Sequence, residues 1–319
     1  MPKIFITREI PENGINLLKE KGWEVGVGPE EIISQEELLE GVKGADAILS
    51  VLTEKIDREV MEAAGPQLKI IANYAVGYDN IDIAEAKKRG ISATNTPGVL
   101  TEAVAEHTIA LLLAAACRIA EGDRYTRAKK FKGWGPKLFL GADIHGKTLA
   151  IIGLGRIGSE VARRMRDGFD LKIIYYDIRR NEELEKKYNI EYREIDALLK
   201  EADFISLHTA LTPETRHLIS AERLKMMKPT SYLINTSRGP IIDEKALVEA
   251  LKNKTIAGAA LDVFENEPEL TPGLTELENV VLTPHIASAT KETRDKMSEM
   301  AAQNIIAALE GRTPPNLVK

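Results

Sequence analysis

Three residues of complementary chemistry each follow an apolar run. Arg238 lies in Asn235-Thr236-Ser237-Arg238-Gly239, after the run 232–235. Glu267 lies in Leu261-Asp262-Val263-Phe264-Glu265-Asn266-Glu267-Pro268, after 259–263. His285 lies in Thr283-Pro284-His285, after 280–283. If these runs are parallel strands of one sheet, all three residues stand on the rim where open α/β sheets hold ligands. A guanidinium, a carboxylate and an imidazole on one rim can act on a 2-oxo acid. The Arg holds the substrate carboxylate and polarises the keto oxygen through paired N–H donors. The His gives a proton in reduction and takes one in oxidation. A Glu beside it favours the charged ring. Arg238, Glu267 and His285 are therefore the candidate catalytic set, with Arg238 and His285 also touching substrate.

Such a reaction needs a hydride source, and a second motif points to one. Gly153-Leu154-Gly155-Arg156-Ile157-Gly158 follows the run 149–152 directly and opens a helix at about Ile157. A G-x-G-x-x-G string alone carries little weight. Here a strand precedes it, a helix follows, and an acidic residue, Asp177, ends the next strand about 20 residues on. Gly153 permits the tight turn, Gly155 lets backbone N–H groups approach a pyrophosphate, and Gly158 allows close helix–strand packing. The helix N-terminus adds partial positive charge. Asp177 can accept hydrogen bonds from the adenosine ribose and would repel a 2′-phosphate, which favours NAD. Arg179 and Arg180 lie just beyond it and leave NADP open.

Other reactive residue types read as structural. Cys117 is the only cysteine and sits in the apolar run 109–117, so it reads as a buried thiol. His107, His145, His208 and His217 show no partner pattern. His208 ends a strand, where a cofactor-side contact is possible. No H-E-x-x-H, paired-Cys or G-x-S-x-G motif is present, and no metal is expected.

Short apolar runs alternate with helical periods from end to end, the pattern of an α/β protein. Strands are predicted over 3–7, 23–27, 47–51, 68–73 and 92–95, with helices over 12–21, 35–39 and 83–89. These form a first parallel sheet. Thr96-Pro97-Gly98 breaks the pattern. One long helix is predicted over 101–127, with an apolar face broader than one core needs, which suits a buried contact between subunits. An aromatic, Gly-rich connection over 131–146 contains Trp134. A second series follows, with strands over 149–152, 172–176, 204–207, 232–235, 259–263 and 280–283 and a final helix over 291–310. No 20–50-residue repeat is visible.

Taken together these strings resemble the D-isomer-specific 2-hydroxyacid dehydrogenases over nearly the whole chain. The matching segments are Ala75-Val76-Gly77-Tyr78-Asp79-Asn80-Ile81-Asp82, Asn95-Thr96-Pro97, the glycine motif, Asn235-Thr236-Ser237-Arg238-Gly239, Leu261-Asp262-Val263-Phe264 and Thr283-Pro284-His285. The resemblance implies two Rossmann-like domains with parallel sheets. A cofactor domain (99–286) would be inserted into a flavodoxin-like substrate domain (1–98 and 287–319). It places the Val76 and Gly77 amides on the substrate carboxylate and Asp262 on the nicotinamide carboxamide. Thr101 and Thr236 would lie near the cofactor, as would His285, with Thr209 to Pro213 beside the adenosine. It also implies a homodimer built on the helix after Pro97. Within the family, residues 139–148 and Trp134 look most like glyoxylate/hydroxypyruvate reductases. In those enzymes a tryptophan of this loop can reach a neighbour's substrate pocket. Leu52 would wall a small substrate.

The 319-residue length suits two domains, and the net charge of −6 argues against a nucleic-acid surface. The apolar run 109–117 is too short for a bilayer, which needs about 20 residues. No signal-peptide pattern opens the chain, so a cytoplasmic protein is expected. Rival readings are phosphoglycerate or D-lactate dehydrogenases of the same family. The non-enzyme rival is an NAD-sensing corepressor of the same fold.

Overall fold

The computed structural model describes residues 1–318. The elements run β1 (Lys3–Ile6), α1 (Glu12–Lys19), β2 (Glu24–Val27), α2 (Gln35–Gly41), β3 (Ala47–Ser50), α3 (Arg58–Ala64), β4 (Ile70–Asn73), α4 (Ile83–Lys88) and β5 (Ser92–Thr94). Next come α5 (Thr101–Ala116), α6 (Ile119–Arg127), β6 (Thr148–Ile152), α7 (Arg156–Phe169), β7 (Lys172–Tyr176), α8 (Glu182–Tyr188), β8 (Glu191–Tyr192), α9 (Ile195–Glu201) and β9 (Phe204–Leu207). The chain closes with α10 (Ala221–Met226), β10 (Tyr232–Asn235), α11 (Glu244–Lys252), β11 (Gly258–Leu261), β12 (Val280–Leu282) and α12 (Lys291–Leu309). It divides into two compact units, one formed by Met1–Leu100 with the chain from Ser288 onward, the other by Thr101–Ala287.

The first unit carries a five-stranded parallel sheet in the order β2-β1-β3-β4-β5. That is the flavodoxin-like order. α12 brings the C-terminal segment back onto this unit, where it packs on α1. The fit is close: a Cβ on Gly14 would lie 2.2 Å from the Ser298 carbonyl oxygen. Helix α3, which the sequence pattern does not single out, begins on an Asp57 cap.

The second unit carries a seven-stranded parallel sheet ordered β12-β11-β10-β9-β6-β7-β8. The direction of winding reverses between β6 and β9, which creates a crevice at their carboxyl ends. Side chains alternate between two cores. Leu149 and Ile151 join one apolar layer, while Ala150 and Ile152 join the other. Both faces are therefore covered, so the strands read as continuous apolar runs. The two-residue strand β8 is too short to carry such a pattern.

Residues 101–127 form two helices rather than the single one expected, with a 65° bend between α5 and α6. The cause is distant in sequence. The Ala142 N–H takes the Ala116 carbonyl at 2.9 Å, which a continuing helix would have used itself. A Cβ on Gly141 would lie 2.3 Å from that same oxygen. Arg118 then turns the chain at φ 55°, its guanidinium held by Glu121 at 2.8 Å. Cys117, expected to be buried, is exposed because it lies at this break. No single helix among the described residues is long and apolar enough to cross a membrane.

Candidate active site

β10, β11 and β12 are neighbours and parallel, so the segments after them emerge on one edge. There His285 Nδ1 lies 2.8 Å from Glu267 Oε2. An ionised carboxylate only accepts, so Nδ1 carries the proton and Nε2 is the atom left for proton exchange. The other Glu267 oxygen accepts the Phe264 N–H at 2.9 Å, which sets the carboxylate's direction.

Backbone geometry presents His285. It has φ 54°, a left-handed conformation that non-glycine residues adopt rarely. Asp262, fully buried at the end of β11, holds this turn. Its carboxylate accepts the Ile286 and Ala287 N–H groups at 2.9 and 2.8 Å and the Thr283 hydroxyl at 2.6 Å. His107 of α5 completes the cluster, with Nε2 3.1 Å from the Thr283 hydroxyl and 3.4 Å from Asp262. Because Thr283 donates to Asp262, its oxygen must accept from His107. Burial alone would raise the Asp262 pKa. The bonds from His107, Thr283, Ile286 and Ala287 outweigh it and hold the carboxyl below its ordinary value.

Arg238 follows β10 in a loop braced by Asn235. The Asn235 side chain accepts from Ser237 N–H and hydroxyl at 3.0 and 2.8 Å, and it donates to the Arg238 carbonyl at 2.9 Å. Arg238 Nη1 donates to the Ser237 carbonyl at 2.8 Å. Gly239 then presses on the Glu267 turn: a Cβ there would lie 1.9 Å from the Phe264 carbonyl. No other residue type fits between the loop of Arg238 and the turn of Glu267.

The crevice between β6 and β9 fits a dinucleotide. Gly153 has φ 96°, and a Cβ on it would lie 2.7 Å from the His208 carbonyl. A Cβ on Gly158 would meet the Gly153 oxygen at 2.1 Å, whereas Gly155 faces open space. α7 starts at Arg156 with no side-chain cap, so its first N–H groups suit an anion. Arg156 is exposed and Ile157 half-buried. Asp177 stands at the end of β7, where Oδ2 accepts the Leu154 N–H at 2.7 Å and Oδ1 the Arg179 N–H at 3.2 Å. Across the crevice the Thr209 hydroxyl is buried without a hydrogen-bond partner, while Pro213 is exposed. The Thr236 hydroxyl bonds to Thr108 of α5 at 2.7 Å. Thr101 begins that helix. His208 pairs with Ser206 at 2.8 Å, and burial pushes its pKa down to about 3.

In the first unit, Leu52 and the 76–77 pair follow β3 and β4. The Val76 and Gly77 carbonyls accept from Asn95 and Asn73 at 2.8 Å each. Trp134 lies in the 131–146 connection and is 84% exposed.

The partners of His107 and His217 are absent from the sequence reading, as are those of Glu244 and Glu265, because each partner lies at least 20 residues away. Among the described residues, no cluster of His, Cys, Asp or Glu is arranged to hold a metal ion.

The family description "D-isomer specific 2-hydroxyacid dehydrogenase, NAD binding domain" matches residues 109–287. The chain belongs to this family. A glyoxylate reductase from Pyrococcus furiosus is 53% identical over 322 residues, covering 99% of this chain and 95% of that protein. A glyoxylate reductase from Korarchaeum cryptofilum is 54% identical, covering 99% and 96%. Among solved structures, an NADPH-dependent glyoxylate/hydroxypyruvate reductase from Sinorhizobium meliloti, in complex with NADP and malonate, superposes with a TM-score of 0.87. It is 33% identical, and the match covers 99% of this chain and 96% of that one. This D-2-hydroxyacid dehydrogenase is thus an NAD(P)-dependent oxidoreductase acting on a small acid.

Proposed function

We propose that this enzyme reduces glyoxylate or hydroxypyruvate reversibly to the 2-hydroxy acid, of D configuration where C2 is a stereocentre, with NADH as the preferred donor. The observation that carries the reading is the His285–Glu267 pair at 2.8 Å on the same strand edge as the Arg238 loop. The names of the full-length relatives support the substrate class.

In this reading a bound reduced nicotinamide supplies the hydride. Arg238 holds the carboxylate and the oxygen that gains charge. His285 Nε2 delivers the proton to that oxygen, while Glu267 steadies the imidazolium. In the first unit, the Val76 and Gly77 amides and Leu52 are the residues that would serve the substrate. Gly153 to Gly158 and the N-terminus of α7 take the pyrophosphate. Asp177 takes the ribose, and Thr209 to Pro213 flank the adenosine. Thr101, Thr236 and Asp262 line the nicotinamide side. The Met1–Leu100 unit, with its C-terminal return, serves substrate, and the Thr101–Ala287 unit serves cofactor.

The working enzyme is a cytoplasmic homodimer. α6 buries none of its residues, and Ile119, Phe131, Trp134 and Leu140 are each more than half exposed. So large an apolar display favours a partner, and Trp134 would reach the second copy's substrate pocket. A panel of glyoxylate, hydroxypyruvate, pyruvate and phosphohydroxypyruvate with NADH and NADPH tests the assignment. The highest kcat/KM should fall on glyoxylate or hydroxypyruvate; absence of turnover with all four would overturn it. Sedimentation at micromolar concentration should give twice the chain mass.

A further inference from the structure

We infer that His217 is a positioning residue that ties the loop carrying Arg238 to the turn carrying Glu267. The inference rests on the roles proposed above for those two residues. Its backbone N–H donates to the Pro240 carbonyl at 2.8 Å, two residues beyond Arg238. Its ring Nε2 lies 2.6 Å from Glu265 Oε1, two residues before Glu267. One residue thus grips both segments, one by main chain and one by side chain.

Glu265 is itself part of a lattice. Its Oε2 accepts the Glu244 N–H at 3.2 Å, and Glu244 Oε2 accepts the Glu265 N–H at 2.7 Å. The other Glu244 oxygen accepts the Thr271 N–H at 3.2 Å, on the far side of the same turn. Glu244 is almost fully buried, so this reciprocal pair is an anchor on α11. Arg216 approaches the Glu265 oxygen at 3.9 Å from the side of His217.

Two features mark His217 as more than packing. Its side chain is 40% exposed, so little apolar burial depends on it. Its backbone has φ 50°, a cost retained where both of its grips stay in place. Gly239 already sets the two segments in contact through the Phe264 carbonyl. His217 limits sliding along that contact, which would swing the Glu267 carboxylate away from His285 Nδ1.

The test compares His217→Leu with His217→Gln. Both impose the same left-handed backbone cost, but only Gln places a nitrogen donor near Glu265. His217→Leu should lower kcat for glyoxylate at least tenfold. It should also shift the alkaline fall of the reductive rate to lower pH, with NADH affinity by fluorescence titration within twofold of the parent. His217→Gln should restore kcat to within threefold. An unmoved pH profile in His217→Leu would overturn the inference, as would equal loss in both variants. If His217→Leu fails to fold, His217→Asn carries the same expectations, since Asn tolerates left-handed backbone but stops short of Glu265. Glu267→Gln is measured alongside. An unmoved profile there overturns the site reading itself; a shift there without one in His217→Leu overturns only the tie.

Discussion

Glu267 divides its two oxygens between the Phe264 N–H, at 2.9 Å, and His285 Nδ1, at 2.8 Å. One bond aims the carboxylate and the other uses it. Glu267→Gln keeps the shape and removes the charge that favours the imidazolium. The pH above which reduction slows should therefore fall, while oxidation extends to lower pH. Rate profiles in both directions check this.

In the role proposed for it, Arg238 gives paired donors to the oxygen that gains charge, and Arg238→Ala removes them. The expected loss in kcat/KM is roughly 10²–10⁴-fold, on the order of 3–5 kcal/mol. A loss below tenfold would take Arg238 out of the reaction.

Asp262→Asn should damage both stability and rate. The amide keeps one accepting oxygen, so among Ile286, Ala287 and Thr283 at least one donor is left poorly matched. The cost is about 2–3 kcal/mol in urea unfolding at pH 7. The Asp262 carboxyl sits below its ordinary pKa, so its contribution is complete above the unfolded value and is lost as pH falls from there through the lower folded one. Parent and variant stabilities should begin to converge as pH falls below about 4.

In the proposed cofactor site, cofactor choice should turn on Asp177 and on where the arginines point. Arg180 is drawn away by Glu185, whose oxygens accept from Nε and Nη2 at 2.8 Å each. The Arg180 bonds bring the Glu185 pKa to about 2 against opposing burial. Asp177→Ala should raise the NADPH-to-NADH ratio of kcat/KM on the order of tenfold, about 1.4 kcal/mol. Adding Glu185→Gln should raise it further by releasing Arg180. Kd values for both reduced cofactors, from fluorescence, should follow the same order.

His208 should make the fold more sensitive to acid. Burial lowers its pKa to about 3, so the folded chain keeps the ring neutral. The unfolded chain binds a proton below about pH 6.5. Stability from this residue is thus complete above that pH and declines toward 3, by up to about 1.4 kcal/mol per pH unit. His208→Gln should flatten unfolding free energy against pH between 6 and 4.

Local patterns carry a large part of this molecule. The apolar runs mark the central strands because both sheet faces are covered. The glycine motif marks its crevice because close backbone approach at Gly153 and Gly158 permits nothing larger there. Placing Arg238, Glu267 and His285 after consecutive parallel strands was enough to put them on one edge. Each of these features depends on neighbours along the chain or on strand direction, and both are written in residue order.

Long-range hydrogen bonds are not written that way. Ala142 ends α5 by taking the Ala116 carbonyl, within a stretch expected to stay helical to residue 127, and this break leaves Cys117 exposed. His217 meets Glu265, and His107 meets Thr283, only after the sheet has brought separate loops together. Polar side chains of this kind carry no periodic signal, since their partners are chosen by distance after folding. The linear chain thus names the candidate groups, and packing between remote segments supplies their orientation.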